Sequence, residues 1–317
     1  MSELKVGGHT IELSRPDKVL FPGDGITKAD LVEYYRQIGP VMLAYVRDRP
    51  VMMQRFPDGI DKEGFIQQQI PEYFPEWIQR VTVPKEQGVT THAVCNDVAS
   101  LMYLANEACV TLHTWLSRAD RIECPDQMIF DLDPPHHDLD LAHDDFVQVR
   151  SSAVALRDLL DELGLVGFVK TTGLFGAHVV VPLDRSANFD EVRAFAREVA
   201  EELVSRDPQH RTTEMRKEKR GGRLLIDVMR NAYGQTAVAP YSVRAFPGAP
   251  VAMPLAWRDL ERADIGPRTF TIRSVNDYLH MNGDPWSGMG KRAHSLKLAC
   301  STSALAPKLT TGLPTTE

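Results

Sequence analysis

Asp131 and Asp133 stand two residues apart at the end of the run Gln127-Met-Ile-Phe-Asp-Leu-Asp133. On an extended strand, alternation sends both carboxylates to one face and Leu132 to the other. Neighbouring carboxylates repel one another unless a cation joins them. Pro134 and Pro135 then stop the strand. A third carboxylate, Asp227, closes the apolar run Leu224-Leu-Ile-Asp227. Such a set is a hard oxygen site suited to Mg2+ or Mn2+. Two ions on Asp131, Asp133 and Asp227 are the arrangement that phosphoryl transfer uses: one activates the attacking hydroxyl and the other holds a triphosphate and the leaving oxygen. The plainer reading, aspartates that merely cap turns, stays open for a motif as short as Asp-Leu-Asp.

A second set lies in Lys170-Thr-Thr-Gly-Leu-Phe-Gly-Ala-His178. Gly173 and Gly176 allow positive φ, and their bare backbone lets N–H groups approach an anion. Thr172 adds a hydroxyl, and His178, inside an apolar strand, faces the same place. Together they make a cradle for a triphosphate; a plain hairpin with a satisfied histidine is the alternative. His113 interrupts Val110-Thr-Leu-His-Thr-Trp115, and Arg244 ends Ala239-Pro-Tyr-Ser-Val-Arg244. An arginine in a turn after a catalytic strand suits a phosphate clamp, although a surface ion pair and a core histidine account for these two equally well.

The elements that carry these residues follow from pattern. Residues 1–20 read as an extended arm and a turn. Thr27 caps a helix over 28–47 with Leu31, Tyr34, Tyr35 and Ile38 on one side. A strand over 50–56 precedes a stretch, 57–84, rich in Pro, Gly and aromatics and read as irregular loops. Asp97 opens a helix to about residue 108, and 109–116 alternates like a strand. After the 127–133 strand comes a long helix with Phe146, Val149, Ala153, Leu156, Leu160 and Leu163 at helical spacing. Strands at 166–171 and 177–183 form a hairpin. A helix carrying Val192, Phe195, Val199 and Leu203 and a strand over 223–228 follow. Alternating helices and strands with a hairpin among them predict an α+β (mixed α/β) sheet rather than a purely parallel one.

Composition sets outer limits. At 317 residues the chain suits one large domain or two intimate lobes. A net charge of −7 argues mildly against nucleic acid. Locally, however, Arg206, Arg211, Arg216, Lys217, Lys219, Arg220 and Arg223 face only Asp207, Glu214 and Glu218. None of the four cysteines forms a Cys-x-x-Cys pair, so a structural zinc site is not expected, and Cys109 reads as a buried thiol. Met1-Ser-Glu-Leu-Lys5 lacks an apolar leader core and no run is long enough to span a bilayer, so the expectation is cytoplasmic, without membrane. A disordered tail is expected over about 301–317.

Taken together, the blocks Asp17-Lys-Val-Leu-Phe-Pro22, Arg55-Phe-Pro-Asp-Gly59, Leu112-His-Thr-Trp115, Phe130-Asp-Leu-Asp-Pro134, Gly176-Ala-His-Val-Val-Val-Pro-Leu183, Ile226-Asp227 and Ala239-Pro-Tyr-Ser-Val-Arg244 make a specific set. In their order they resemble the polymerase domain of bacterial ligase D, of the archaeo-eukaryotic primase superfamily, and more closely the stand-alone actinobacterial primase-polymerases. The resemblance runs over about residues 10–300. It implies a single primase-polymerase domain over 1–300, with an N-terminal lobe of about 1–120 packed on a catalytic lobe of about 121–300. It implies metal binding by Asp131, Asp133 and Asp227, and a nucleotide-binding turn of Thr172, Gly173, Gly176 and His178. Arg244 falls on a triphosphate contact and His113 near the sugar of the incoming NTP or dNTP, where the family favours ribonucleotides. Lys18 and Lys28 fall where members grip a 5′-phosphate, and Phe65 where an aromatic stacks on the template, a contact tolerant of sequence. Lys18 and Lys28 as solvated charges and Phe65 as core remain the bland counterparts.

The turn departs from the family's usual Ser-Gly-x-Lys-Gly-x-His: Thr172 replaces the serine and Phe175 stands where the lysine would be. Weaker triphosphate affinity follows unless Lys170, Arg230 or the 216–223 stretch compensates. No Lys-x-Asp-Gly ligase motif is present, the nearest text being Phe56-Pro-Asp-Gly59. The reading is a monomeric, nucleoid-associated polymerase that fills short gaps in gapped or broken DNA with a 5′-phosphate. It would prefer Mn2+ and work with a separate DNA ligase and an end-binding protein, in end joining or base-excision repair. The rivals are a glycosyltransferase using Asp-x-Asp, and a non-catalytic scaffold that binds DNA ends through Lys18, Lys28 and the 206–223 stretch.

Overall fold

The computed structural model describes residues 2–138 and 142–296; the tail expected over 301–317 lies outside them. The chain divides into two compact units, and the first runs continuously through Asp120. It opens with a hairpin of β1 (Ser2–Val6) and β2 (His9–Leu13), followed by a small ladder of β3 (Val19–Phe21) and β4 (Ile26–Thr27). Helix α1 (Lys28–Val46) begins where its cap is written. The Thr27 hydroxyl accepts from Asp30 N–H at 3.2 Å, and the Asp30 carboxylate accepts from Thr27 N–H at 2.8 Å. This reciprocal box is worth about 1 kcal/mol.

The buried side of α1 carries Leu31, Tyr34, Tyr35 and Ile38. It packs on α2 (Val98–Asn106), whose cap Asp97 accepts from Ser100 N–H at 2.7 Å. Gly39 permits that approach, because a Cβ there would meet Val98 at 3.0 Å. Beneath lies a sheet of β5 (Pro50–Arg55), β6 (Phe65–Gln67), β7 (Gln79–Pro84), β8 (Val89–Val94) and β9 (Cys109–Trp115), with the path β9-β5-β8-β7 and β6 on β5. The loops expected over 57–84 are corrected here, since that stretch holds β6 and β7. Both strands are largely exposed, so they lack the apolar alternation that marks a half-buried strand. Cys109 is fully buried, and burial pushes its thiol up to about 12.

The second unit holds β10 (Gln127–Asp133), α3 (Ala142–Glu162), β11 (Phe168–Thr171), β12 (Ala177–Pro182), α4 (Phe189–Arg206), β13 (Arg211–Thr212) and β14 (Leu224–Asp227). Helices α3 and α4 pack on each other and both on β10. Met128, Phe130 and Leu132 are wholly buried and alternate with Ile129, Asp131 and Asp133. The chain then returns to the first unit over Thr236–Met253, adding β15 (Thr236–Val238) beside β9. It goes back to the second with β16 (Pro254–Leu255), which pairs with β11, and α5 (Trp257–Leu260). A last excursion, Phe270–Asp284, carries α6 (Val275–Asn282) in the first unit. The second sheet has the order β13-β14-β10-β12-β11-β16. Its only parallel pair is β13 with β14 among the described residues, so the sheet is mixed and the fold α+β. No helix among the described residues is long and apolar enough to cross a membrane.

Candidate polymerase site

Register in the second sheet builds the site. Asp131 on β10 stands opposite Asp227 on β14 and, on its other side, opposite His178 on β12; His178 in turn faces Lys170 on β11. Residues directly opposed in an antiparallel ladder share a face. Asp227, Asp131, His178 and Lys170 therefore form one row across four strands, with Asp133 two residues along on the same face.

Electrostatics follow from that row. Burial drives the Asp131 carboxyl up, but the His178 N–H, Arg230 and Lys170 outweigh it and hold it well below the usual carboxylate range. His178 Nε2 lies 3.4 Å from Asp131 Oδ1, and Arg230 Nε 3.5 Å from Asp131 Oδ2. Burial and Lys170 push His178 down to about 4 against the pull of Asp131, so the imidazole is neutral at neutral pH. Its Nδ1 is buried and has no hydrogen-bond partner among the described residues. Burial raises Asp227, and the negative charges of Asp131 and Asp133 raise it further, while Met229 N–H donates to it at 2.7 Å and lowers it. Asp133 accepts from His137 Nε2 at 2.8 Å and from Arg220 Nη1 at 2.9 Å. Arg220 is buried and also donates to the Glu214 and Met215 carbonyls.

Among the described residues no three His, Cys, Asp or Glu side chains are gathered as a ready metal cage. The donor set nevertheless fits a hard cation. The three carboxylates share a face, and the charges of Asp131 and Asp133 both press on Asp227. Mg2+ is commonly held by one or two carboxylates, water and substrate phosphates rather than by an all-protein cage.

The 172–176 turn is seated against this row. Gly173 takes up the positive φ that glycine allows, at +73°. Gly176 does not use that freedom. Its need is closeness, since a Cβ there would stand 2.2 Å from the Leu132 carbonyl oxygen. The Thr172 hydroxyl donates to Gly176 O at 3.1 Å and accepts from the N–H groups of Leu174 at 3.4 Å and Gly176 at 3.3 Å. It staples the turn from inside. Phe175 stacks on His137, with centroids 5.0 Å apart and planes at 11°, and the Arg268 guanidinium lies 5.2 Å from its centroid. Arg268 also donates to Leu174 O at 3.1 Å.

The other singled-out residues lie in the first unit. Lys28 is buried, donates to the Ser14 hydroxyl at 3.0 Å and is pushed down by burial, Arg15, Lys18 and Arg55 against the pull of Glu107. Lys18 pairs with Asp58 at 2.6 Å. Arg55 is a hub: it bonds Glu107, Gln67 and Tyr73 and lies 5.5 Å from the Phe65 centroid. Phe65 is 45% exposed on β6 beside Ile66, 64% exposed, so it is not core. His113 is half-buried in the middle of β9, opposite Met52 and Val238. Arg244 is held by its backbone, N–H to Pro250 O at 2.7 Å, in a segment whose Tyr241 carbonyl accepts from Tyr34. Linear reading did not single out His137 as a partner of Asp133, nor Arg15 and Arg55 as companions of Lys28. The only signal was that Arg55 opens the Arg-Phe-Pro-Asp-Gly block.

Comparison with known proteins gives the family. Residues 27–286 match the family model described as LigD, primase-polymerase domain. The chain is 30% identical over 277 residues to the bifunctional non-homologous end joining protein LigD of Bacillus subtilis, covering 87% of this chain and 43% of that protein. It is 32% identical over 259 residues to the multifunctional non-homologous end joining DNA repair protein LigD of Mycobacterium tuberculosis, covering 79% and 33%. The polymerase domain of Mycobacterium tuberculosis ligase D, solved in complex with DNA, superposes with a TM-score of 0.82 at 30% identity, over 90% of this chain and 99% of that one. The chain spans less than half the length of these curated relatives. Fold and sheet thus define a polymerase-class nucleotidyltransferase domain. The chain belongs to the LigD primase-polymerase domain family.

Proposed function

We infer that the chain extends a primer 3′ end by template-directed nucleotide addition at short gaps or breaks in DNA. The reading rests on one observation above the rest: in a chain of this family, Asp227, Asp131 and His178 are in cross-strand register with Asp133 on the same face. The primer 3′-oxygen attacks the α-phosphorus of an NTP or dNTP; the new P–O bond forms as the bond to pyrophosphate breaks. Asp131, Asp133 and Asp227 would hold two Mg2+ or Mn2+ ions, which when bound activate the hydroxyl and neutralise the triphosphate. His178, neutral and buried beside Asp131, orients that carboxylate. The 172–176 turn receives the triphosphate, and ribonucleotides are accepted beside deoxyribonucleotides.

The cations Lys18 and Lys28, with Arg15 and Arg55 close by, suit a 5′-phosphate, and exposed Phe65 suits a stacked template base. The relatives' names place them in end joining, and the matched domain was solved on DNA. End joining is the setting that follows.

The test is extension of a primer on a short-gapped duplex bearing a downstream 5′-phosphate, with Mn2+ and either ribo- or deoxyribonucleotides. Wild type should incorporate and Asp131→Ala/Asp133→Ala should not, with the nucleotide ratio reporting sugar choice. No incorporation by the wild type, with equal DNA binding by both proteins, would leave a DNA-end scaffold instead.

A further inference from the structure

The Asp133 carboxylate is gripped at both oxygens, and the two grips differ in kind. Arg220, on Oδ2, is buried and anchored by two backbone carbonyls. His137, on Oδ1, has a side chain 44% exposed. What fixes this half-exposed imidazole is Phe175, whose ring lies parallel to it at 5.0 Å. Phe175 is fixed in turn by the Arg268 guanidinium, 5.2 Å from its centroid and tied to the neighbouring Leu174 carbonyl. The chain Arg268, Phe175, His137, Asp133 thus runs from the turn to a carboxylate on the candidate metal face.

We propose that Phe175 is a positioning residue for metal binding, acting through His137 to orient the Asp133 carboxylate. The inference rests on the reading of Asp133 as a metal ligand. An ionised carboxylate has about four lone-pair sites, so one donor on each oxygen fixes its rotation and leaves acceptor capacity for a cation. Hydrogen-bonded neighbours that orient a ligand typically contribute 10–100-fold to metal affinity. A phenyl ring at position 175 does by stacking what no aliphatic side chain there can do, because only a flat ring matches the imidazole plane.

The experiment is a titration of the nucleotide-free protein with Mn2+, reading free Mn2+ by electron paramagnetic resonance. Phe175→Ala and His137→Ala should each weaken Mn2+ binding about tenfold, and the double variant should be no weaker than His137→Ala alone. Phe175→Tyr, which keeps the stack, should bind as wild type. Thermal midpoints measured alongside separate this from loss of fold. Binding by Phe175→Ala within twofold of wild type, or tighter, overturns the proposal. Asp131→Asn/Asp133→Asn distinguishes the deeper failure: if wild type binds Mn2+ no better than this variant, the metal reading itself falls, and the positioning role with it.

Discussion

Gly176 has one function that no other residue type can perform. Its missing side chain lets the turn rest on the Leu132 carbonyl, where a Cβ would intrude to 2.2 Å from backbone oxygen. Gly176→Ala should therefore push the turn off β10, costing about 1–3 kcal/mol by overpacking. Nucleotide incorporation should fall at least as far as the loss of fold requires. Thermal melts and primer extension on the same preparation check both, and an unshifted melt would contradict the contact. Thr172 makes a complementary case. Thr172→Val strips an acceptor from two N–H groups, at about 1–3 kcal/mol if both stay buried and unpaired, whereas Thr172→Ser keeps the staple. The expected readout is a raised KM for nucleotide in the valine variant and a near-normal one in the serine variant.

Among elements, the caps were written plainly. Thr27 and Asp97 mark helix starts because a side-chain oxygen next to an apolar run has one obvious use. Thr27→Ala should cost about 1 kcal/mol in chemical denaturation. Asp131, Asp133 and Asp227 were equally legible, since alternation within a strand is local. Their register was not. That Asp227 stands opposite Asp131, and His178 on the other flank, depends on a pairing across distant segments that no local pattern encodes. Strands β6 and β7 escaped because exposed strands carry no hydrophobic period. Strand β8 holds His92, buried against the Val51 carbonyl, with its imidazole pushed down by that burial. Such a group is neutral in the fold and protonates first in the unfolded chain. Its contribution is complete above about pH 6.5 and is lost as pH falls from there toward the folded value, by at most about 1.4 kcal/mol per pH unit. Urea melts over that range should show a shallower acid slope in His92→Gln than in wild type; parallel slopes would remove His92 from the account.

For the whole molecule, the net charge of −7 conceals a local gathering of cations around Lys28. Lys28 and Lys18 sit with Arg15 and Arg55 in the first unit, so affinity for gapped DNA should fall steeply with salt although the protein is acidic. Lys28→Ala should lower the slope of log affinity against log salt by about one and should erase any preference for a 5′-phosphorylated gap over a 5′-hydroxyl one. Fluorescence anisotropy on the two duplexes measures both; an unchanged slope would place Lys28 away from the phosphate.

The chain's two returns to the first unit bear on how it is born. Strand β15 completes the sheet beside β9 only after residues 121–235 have been made, and Asp284, which accepts from Tyr241 at 2.6 Å, emerges later still. On the ribosome, neither unit is a finished sentence until nearly the last described segment has left the exit tunnel. A nascent chain stalled near residue 235 presents β9 as an unpaired edge, open to pairing with another chain. The two units must therefore be completed together rather than one after the other, and a stop codon placed between them yields no half-enzyme.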